Sequence, residues 1–146
     1  MTDQSQPRAV SLADIRDQAL VLLDRYEESA GISPADDYDD VPRVHPMAEA
    51  KFMLACVELA ESGAMSRVVT RRRVCASLDR LREMNVSEDS GTASWGLGFP
   101  YRNLPASEPF AITTAMVLSA LHRAEHAPWH GRAGRHLLAP LRDLPG

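Results

Sequence analysis

Apolar residues along the chain repeat at helical spacing, in two patterns that alternate. Residues 11–31 and about 66–84 carry an apolar residue every three or four positions with charges between them, as an amphipathic helix requires. Residues 52–57 and 110–121 are apolar on nearly every side, which is typical of a helix packed against several neighbours. We therefore predict an all-α fold of two antiparallel helical hairpins in the order outer, inner, outer, inner. A short C-terminal helix is expected near residues 133–141.

Helix-terminal residues support these boundaries. Ser11 followed by Asp14 has the spacing of an approximate capping box, and Gly31 suits the left-handed position that ends a helix. Pro46 suits the first turn of the second helix. The fourth helix is expected to begin around Pro109. We divide the chain into a flexible N-terminus (1–10), a helical domain (11–125) and a basic, histidine-rich tail (126–146).

Length, charge and hydropathy exclude several classes of protein. A chain of 146 residues has the size of one domain, and its net charge of −4 gives no nucleic-acid signature. No apolar run approaches the ~20 residues of a membrane-spanning helix, and the polar first ten residues do not resemble a signal peptide. We expect a cytoplasmic protein without nucleic-acid or membrane partners. The single lysine among many arginines is typical of GC-rich bacterial coding.

Two long loops, residues 31–45 and 85–107, each lead from an outer helix into the N-terminus of an inner helix. They should therefore emerge at the same end, and long ordered loops are usually functional. The first loop contains an acidic run, residues 36–40, in which Asp37 and Asp40 are candidate ligand-binding residues. Its spacing matches the DDxxD motif that holds magnesium diphosphate, but a calcium or magnesium site and a solvated acidic loop are alternatives.

The second loop gathers aromatic side chains among glycines. Trp95, Phe99 and Tyr101 could offer faces to a sugar ring, and the neighbouring Arg102 could pair with a carboxylate or phosphate. The alternative is that Trp95 and Phe99 form a hydrophobic plug over the helices. Asp89 in this loop and His45 in the other are candidate groups for proton transfer, that is, candidate catalytic residues.

The segment Trp95-Gly-Leu-Gly-Phe-Pro-Tyr-Arg102, followed by the apolar helix that begins at Pro109, resembles one repeat of an (α/α) toroid. This group of folds includes polysaccharide lyases, glycoside hydrolases and terpenoid cyclases. The resemblance, over about residues 10–125, implies a site at the mouth where the loops converge. It also implies a piece of a toroid that is completed by self-association or by a partner chain.

A second motif lies at the end of the fourth helix. His122-Arg-Ala-Glu125-His126 fits the HxxEH pattern of inverted zinc peptidases, in which two histidines bind zinc and the glutamate acts as a base. Such a site needs a third ligand, and no glutamate follows Glu125. The alternative is that these residues complement the helix dipole in the last turn.

Three functional hypotheses follow from these patterns. The first is a small carbohydrate-related module that binds a saccharide or an anionic small molecule, or completes a saccharide-processing enzyme. The second is a non-enzymatic interaction protein that exposes an apolar flank of its inner helices. The third is a zinc hydrolase that uses His122, Glu125 and His126. Only the third requires a cofactor.

Overall fold

The computed structural model describes residues 10–33, 42–87 and 92–127, which form four α-helices and one short pair of strands. In chain order these are α1 (Leu12–Glu28), β1 (Ile32–Ser33), β2 (Arg43–Val44), α2 (Pro46–Glu61), α3 (Arg67–Glu83) and α4 (Ala111–His126). The predicted all-α character is confirmed, because the described part of the chain is mostly helical. The antiparallel pair of β1 and β2, with Ile32 opposite Val44, was not predicted. The C-terminal helix expected near residues 133–141 lies outside the described residues.

The capping box predicted at the start of α1 is present. The Ser11 hydroxyl accepts a hydrogen bond from the Asp14 N–H at 3.1 Å, and the Asp14 carboxylate accepts one from the Ser11 N–H at 3.0 Å. This exchange satisfies two N–H groups that a helix start would otherwise leave unpaired. The helix ends at Glu28, three residues before Gly31, which has the left-handed φ of 78°. A Cβ at Gly31 would overlap the Glu49 carboxylate.

Helix α2 is the centre of the packing, since both α3 and α4 lie against it. Its side chains Phe52, Met53, Cys56 and Val57 are buried, which confirms the prediction that this helix is enclosed on several sides. The chain reverses at the short turn between α2 and α3. Helix α4 runs in the same direction as α2, because Arg123 near its C-terminal end donates to Glu61 at the end of α2 (2.8 Å).

Helix α3 buries the apolar residues Val74, Leu78 and Leu81, which have the spacing predicted for an amphipathic helix. Two of the charged residues between its apolar positions, both arginines, turn inward, although an amphipathic pattern would place them at the exposed face. Arg73 is buried and pairs with Asp24 and Glu27 of α1, and Arg80 pairs with Glu49 of α2. A guanidinium can enter a helix interface when carboxylates from the neighbouring helix supply its hydrogen bonds, and the spacing along one helix does not reveal those partners.

Helix α4 departs from the prediction that it is buried on nearly every side. Val117, Ala120, Leu121 and Ala124 face the core, but Ile112 and Leu118 are among the exposed large apolar residues. The toroid-like order of outer and inner helices therefore stays a prediction. None of the helices in the described ranges is long and apolar enough to cross a membrane.

Helix α1 is held mainly through its C-terminal half. The Tyr26 ring packs on Phe52, with ring centres 4.7 Å apart, and its hydroxyl donates to Glu49 at 2.8 Å. By contrast, residues 10–18 are all exposed. The first turns of α1 thus extend over the surface without a neighbouring element in the described chain.

Candidate functional site

The two long loops meet beside the N-terminus of α2. The Arg43 guanidinium donates to the Gly98 carbonyl at 2.9 Å, and the His45 and Phe99 rings make an edge contact with centres 5.7 Å apart. The structure therefore brings together the described parts of both loops at one end of the helices, as their order along the chain had suggested. This end, formed by residues 42–46, 84–87 and 92–110, is called the loop end below.

Trp95 holds the second loop against the helices. Its indole N–H donates to the Leu81 carbonyl at 2.7 Å, and its backbone N–H donates to the Thr114 hydroxyl at 3.0 Å. The Trp95 carbonyl in turn accepts from the Phe110 N–H at 3.0 Å. One residue thus connects the end of α3 to the start of α4.

The burial of Trp95 corrects its proposed role in stacking on a ligand. Its side chain is only 1% exposed, and Phe99 is also buried. Neither ring offers a free face to a sugar, so the alternative of a hydrophobic plug describes both residues. A buried aromatic ring contributes more through packing than an accessible one, and local sequence cannot distinguish the two cases.

Tyr101 and Arg102 remain at the surface of the same loop. The Arg102 guanidinium lies over the Tyr101 ring, 5.2 Å from its centre, in a cation–π contact. Reciprocal backbone hydrogen bonds between Tyr101 and Leu104 (3.1 and 3.0 Å) close the turn that carries this pair. Among the aromatic loop residues that we named, Tyr101 is therefore the accessible one.

Asn85 organises the opposite side of the loop end. Its side-chain oxygen accepts from the N–H groups of Ser87 (3.2 Å) and Ser94 (3.0 Å), and the Val86 N–H donates to the Ser94 carbonyl at 2.9 Å. These contacts join the two ends of the segment between residues 86 and 94. The hydroxyls of Ser87 and Thr92 also hydrogen-bond to each other.

Two adjoining clefts open at the loop end. The first, of about 630 Å³, is lined mainly by hydroxyl groups and one carboxylate: Ser87, Thr92, Ser94, Ser107 and Glu108. The second, of about 390 Å³, is mostly apolar and is lined by Arg43, Val44, Pro46, Met84, Gly98 and Ala106, among others. Val86 and Ser107 line both clefts, so a polar and an apolar surface share one wall.

The positive groups of the loop end lie beside the apolar cleft, whereas the polar cleft carries the Glu108 carboxylate. Neither His45 nor Phe110, the N-cap residues of α2 and α4, caps its helix with a side-chain hydrogen bond. The first-turn N–H groups of a helix carry a partial positive charge. Arg43 adds a full positive charge at the edge of the apolar cleft.

Several predicted residues are not part of this arrangement. Asp37, Asp40 and Asp89 lie outside the described residues, so their proposed roles stay predictions. His122, Glu125 and His126 lie in the last turns of α4, the end away from Phe110 and the loop end. The 16 residues of that helix separate the two ends by about 24 Å.

The histidine pair does not form a metal site within the described ranges. The rings of His122 and His126 lie 4.2 Å apart, and Nδ1 of His126 lies 2.8 Å from the His122 carbonyl. No cluster of three or more histidine, cysteine or acidic side chains that could hold a metal occurs in residues 10–33, 42–87 and 92–127. The zinc hypothesis thus has no assembled third ligand in this part of the chain.

Sequence reasoning missed the residues that build the loop end. Arg43, Asn85 and Thr114 were not selected, because each makes a hydrogen bond to a backbone group at least nine residues away in the chain. Asn85 did carry a local signal. An asparagine side chain often accepts from the N–H two residues ahead, as Asn85 does from Ser87.

Searches of protein-family models, curated proteins and solved structures found no match to this chain.

Proposed function

We propose that the loop end binds a saccharide that carries an anionic group, such as a uronic acid. The observation that supports this proposal is the junction of the polar and the apolar cleft along Val86 and Ser107. A pyranose ring has a rim of hydroxyls and a face of C–H groups, so it needs a polar and an apolar surface side by side.

The polar cleft has the chemistry for a hydroxyl rim. A serine or threonine hydroxyl both donates and accepts hydrogen bonds, and the Glu108 carboxylate accepts from two sugar hydroxyls. Ser94 and Ser107 line opposite ends of the loop segment that returns to α4. Such a set distinguishes a polyhydroxylated ligand from an apolar one, because an apolar ligand would leave these groups unpaired.

The positive groups account for the anionic part of the ligand. Arg43 lies at the edge of the apolar cleft, and the N-termini of α2 and α4 lie at the same end of the molecule. Tyr101 and Arg102 form a second exposed aromatic and cationic pair on the same loop. Proton transfer by His45 and Asp89 would be a step beyond the binding proposed for this site.

The test is a titration followed by two-dimensional amide NMR with three probes: glucuronate, galacturonate and glucose. We expect shifts confined to the loop end and weaker binding of glucose than of the two uronates. Glu108→Gln should weaken the binding of glucose more than that of the two uronates, because it removes a charged acceptor of sugar hydroxyls and, for the uronates, also a negative charge near the ligand carboxylate. Glu28→Gln, on the exposed side of α1, is the matched control and should bind as the unaltered protein does.

Two results would contradict the proposal. The first is the absence of amide shifts with all three probes up to the solubility of the sugars. The second is a pattern of shifts centred on α1 or on the C-terminal end of α4. Retention of the native amide spectrum in Glu108→Gln distinguishes lost binding from lost folding.

A further inference from the structure

The exposed part of α1 carries large apolar side chains. Leu12 is 86% exposed and Leu22 is 63% exposed, and Ile15 between them is also largely exposed. The capping box of Ser11 and Asp14 keeps this segment helical although no described element covers it. Contiguous apolar surface of this kind usually marks an interaction site.

The spacing of these residues is that of a coiled-coil seam. Leu12, Ile15, Ala19 and Leu22 are separated by three, four and three residues, so they occupy successive a and d positions of a heptad. The next a position is Tyr26, which packs inward on Phe52. The seam therefore faces the surface over the first half of α1 and turns into the core at its end.

We propose that α1 pairs antiparallel with α1 of a second copy of this chain. In an antiparallel pair each a residue faces a d residue of the other helix. The four seam residues of one copy can meet this requirement with the same four residues of an identical copy. Leu12 faces Leu22 of the second copy and Ile15 faces Ala19, and two-fold symmetry repeats both layers. A symmetric dimer requires such self-complementarity, whereas an unrelated partner does not.

The charges beside the seam suit the same arrangement. Arg25 of one copy approaches Ser11 and Asp14 of the other, so a cation faces a carboxylate on both sides of the two-fold axis. The two copies of Arg16 face each other near the axis, and each charge is partly offset by Asp17 on its own helix at 3.5 Å. The two helix dipoles oppose each other in an antiparallel pair, which is their favourable orientation.

The size of the interface sets the expected affinity. A helix of 17 residues is about 25 Å long. One such helix pair buries less than the ~1,200 Å² at the lower end of stable interfaces, so we expect a weak dimer that forms only as the concentration rises. This inference does not rest on the saccharide site, which lies at the loop end.

The first test measures the molar mass of the full chain by light scattering from low micromolar to millimolar concentration. We expect the mass to rise from monomer to dimer. The double variant Ile15→Glu, Leu22→Glu should weaken the dimer roughly 100-fold or more, because association would bury four carboxylates in an apolar seam. The matched control, Val68→Glu with Ile112→Glu, places the same charges at residues that are 80% and 65% exposed but outside the seam.

A monomer at every concentration would overturn the proposal, and so would an equal loss of dimer in the control variant. Circular dichroism of both variants shows whether each stays folded. If the variant Ile15→Glu, Leu22→Glu unfolds, the cross-linking experiment still tests whether α1 pairs with α1 of a second copy.

The second test determines the register. Antiparallel pairing brings position 12 next to position 22 of the other copy, so the double variant Leu12→Cys, Leu22→Cys should form a covalent dimer under mild oxidation. The single variants Leu12→Cys and Leu22→Cys should not cross-link more than the unaltered chain. Efficient cross-linking of either single variant would indicate a parallel pair and overturn the proposed arrangement.

Discussion

Arg80 of α3 donates two hydrogen bonds to Glu49 of α2, from Nε to Oε1 at 2.7 Å and from Nη2 to Oε2 at 3.0 Å. Glu49 is fully buried, and the Tyr26 hydroxyl donates a third hydrogen bond to the same carboxylate. Burial and the adjacent carboxylate together raise the pKa of Tyr26. Three helices therefore meet at one buried carboxylate, whose charge is compensated by Arg80 and whose third hydrogen bond comes from Tyr26.

We predict that Arg80→Met lowers the free energy of unfolding by about 3 kcal/mol, because it leaves a buried carboxylate without its counter-ion. The double variant Glu49→Leu, Arg80→Met should recover most of this loss, since it removes the buried charge as well. Urea unfolding followed by circular dichroism measures the free energy of unfolding of both variants. Equal instability of the single and the double variant would show that the ion pair itself stabilises the fold.

Trp95 should behave as a core residue. Trp95→Ala is expected to cost about 3–5 kcal/mol, because it leaves a cavity between the end of α3 and the start of α4. Trp95→Phe retains most of the packing but leaves the Leu81 carbonyl without its donor, and should cost about 1–3 kcal/mol. Thermal unfolding of the two variants shows which of them is less stable. A stable Trp95→Ala protein that has lost only ligand binding would restore the stacking role.

Gly96 should not tolerate a side chain. A Cβ at this position would overlap the Ala106 carbonyl, which is backbone and cannot rotate away. Gly96→Ala should therefore cost about 2–3 kcal/mol through forced backbone displacement. Gly63→Ala is the control, because Gly63 has a φ of 76° but no atom within 4 Å of the added Cβ. It should cost only about 1 kcal/mol of backbone strain, and equal costs for the two variants would contradict the steric argument.

Cys56 should be unreactive in the folded protein. Burial raises its pKa to about 12, so at pH 8 only about one thiol in ten thousand is the reactive thiolate. In the variant Cys75→Ser, Cys56 is the remaining cysteine of the chain. Reaction with a thiol-specific disulfide reagent at pH 8 should then require denaturant, whereas fast stoichiometric labelling of the native protein would show that Cys56 is accessible.

The positions of the helices could be predicted from the sequence because the signals are local. Ser11 with Asp14 and Pro46 in a first turn each act on backbone groups within three or four residues. The apolar run of residues 52–57 likewise required burial on several sides. The predicted start of α4 was two residues early, since Phe110 is its N-cap residue and is held by the Trp95 carbonyl.

The candidate site was only partly predictable. The order of helices and long loops indicated that the loops share one end, and the contacts Arg43–Gly98 and His45–Phe99 show that they meet there. The identity of the accessible residues was less predictable. Trp95 and Tyr101 are both aromatic residues in a glycine-containing loop, but one is enclosed by α3 and α4 and the other is at the surface.

By itself, the sequence determined the helical class, most helix boundaries and the burial of α2, because hydrophobic spacing and capping operate within a few residues. The tertiary structure alone decided which charges are internal and which apolar residues are exposed. Arg73 is buried and Arg80 is half-buried because α1 and α2 present carboxylates to them. Leu12 and Leu22 have the spacing of core residues, yet no described element packs on them, because burial depends on a neighbour as well as on a pattern.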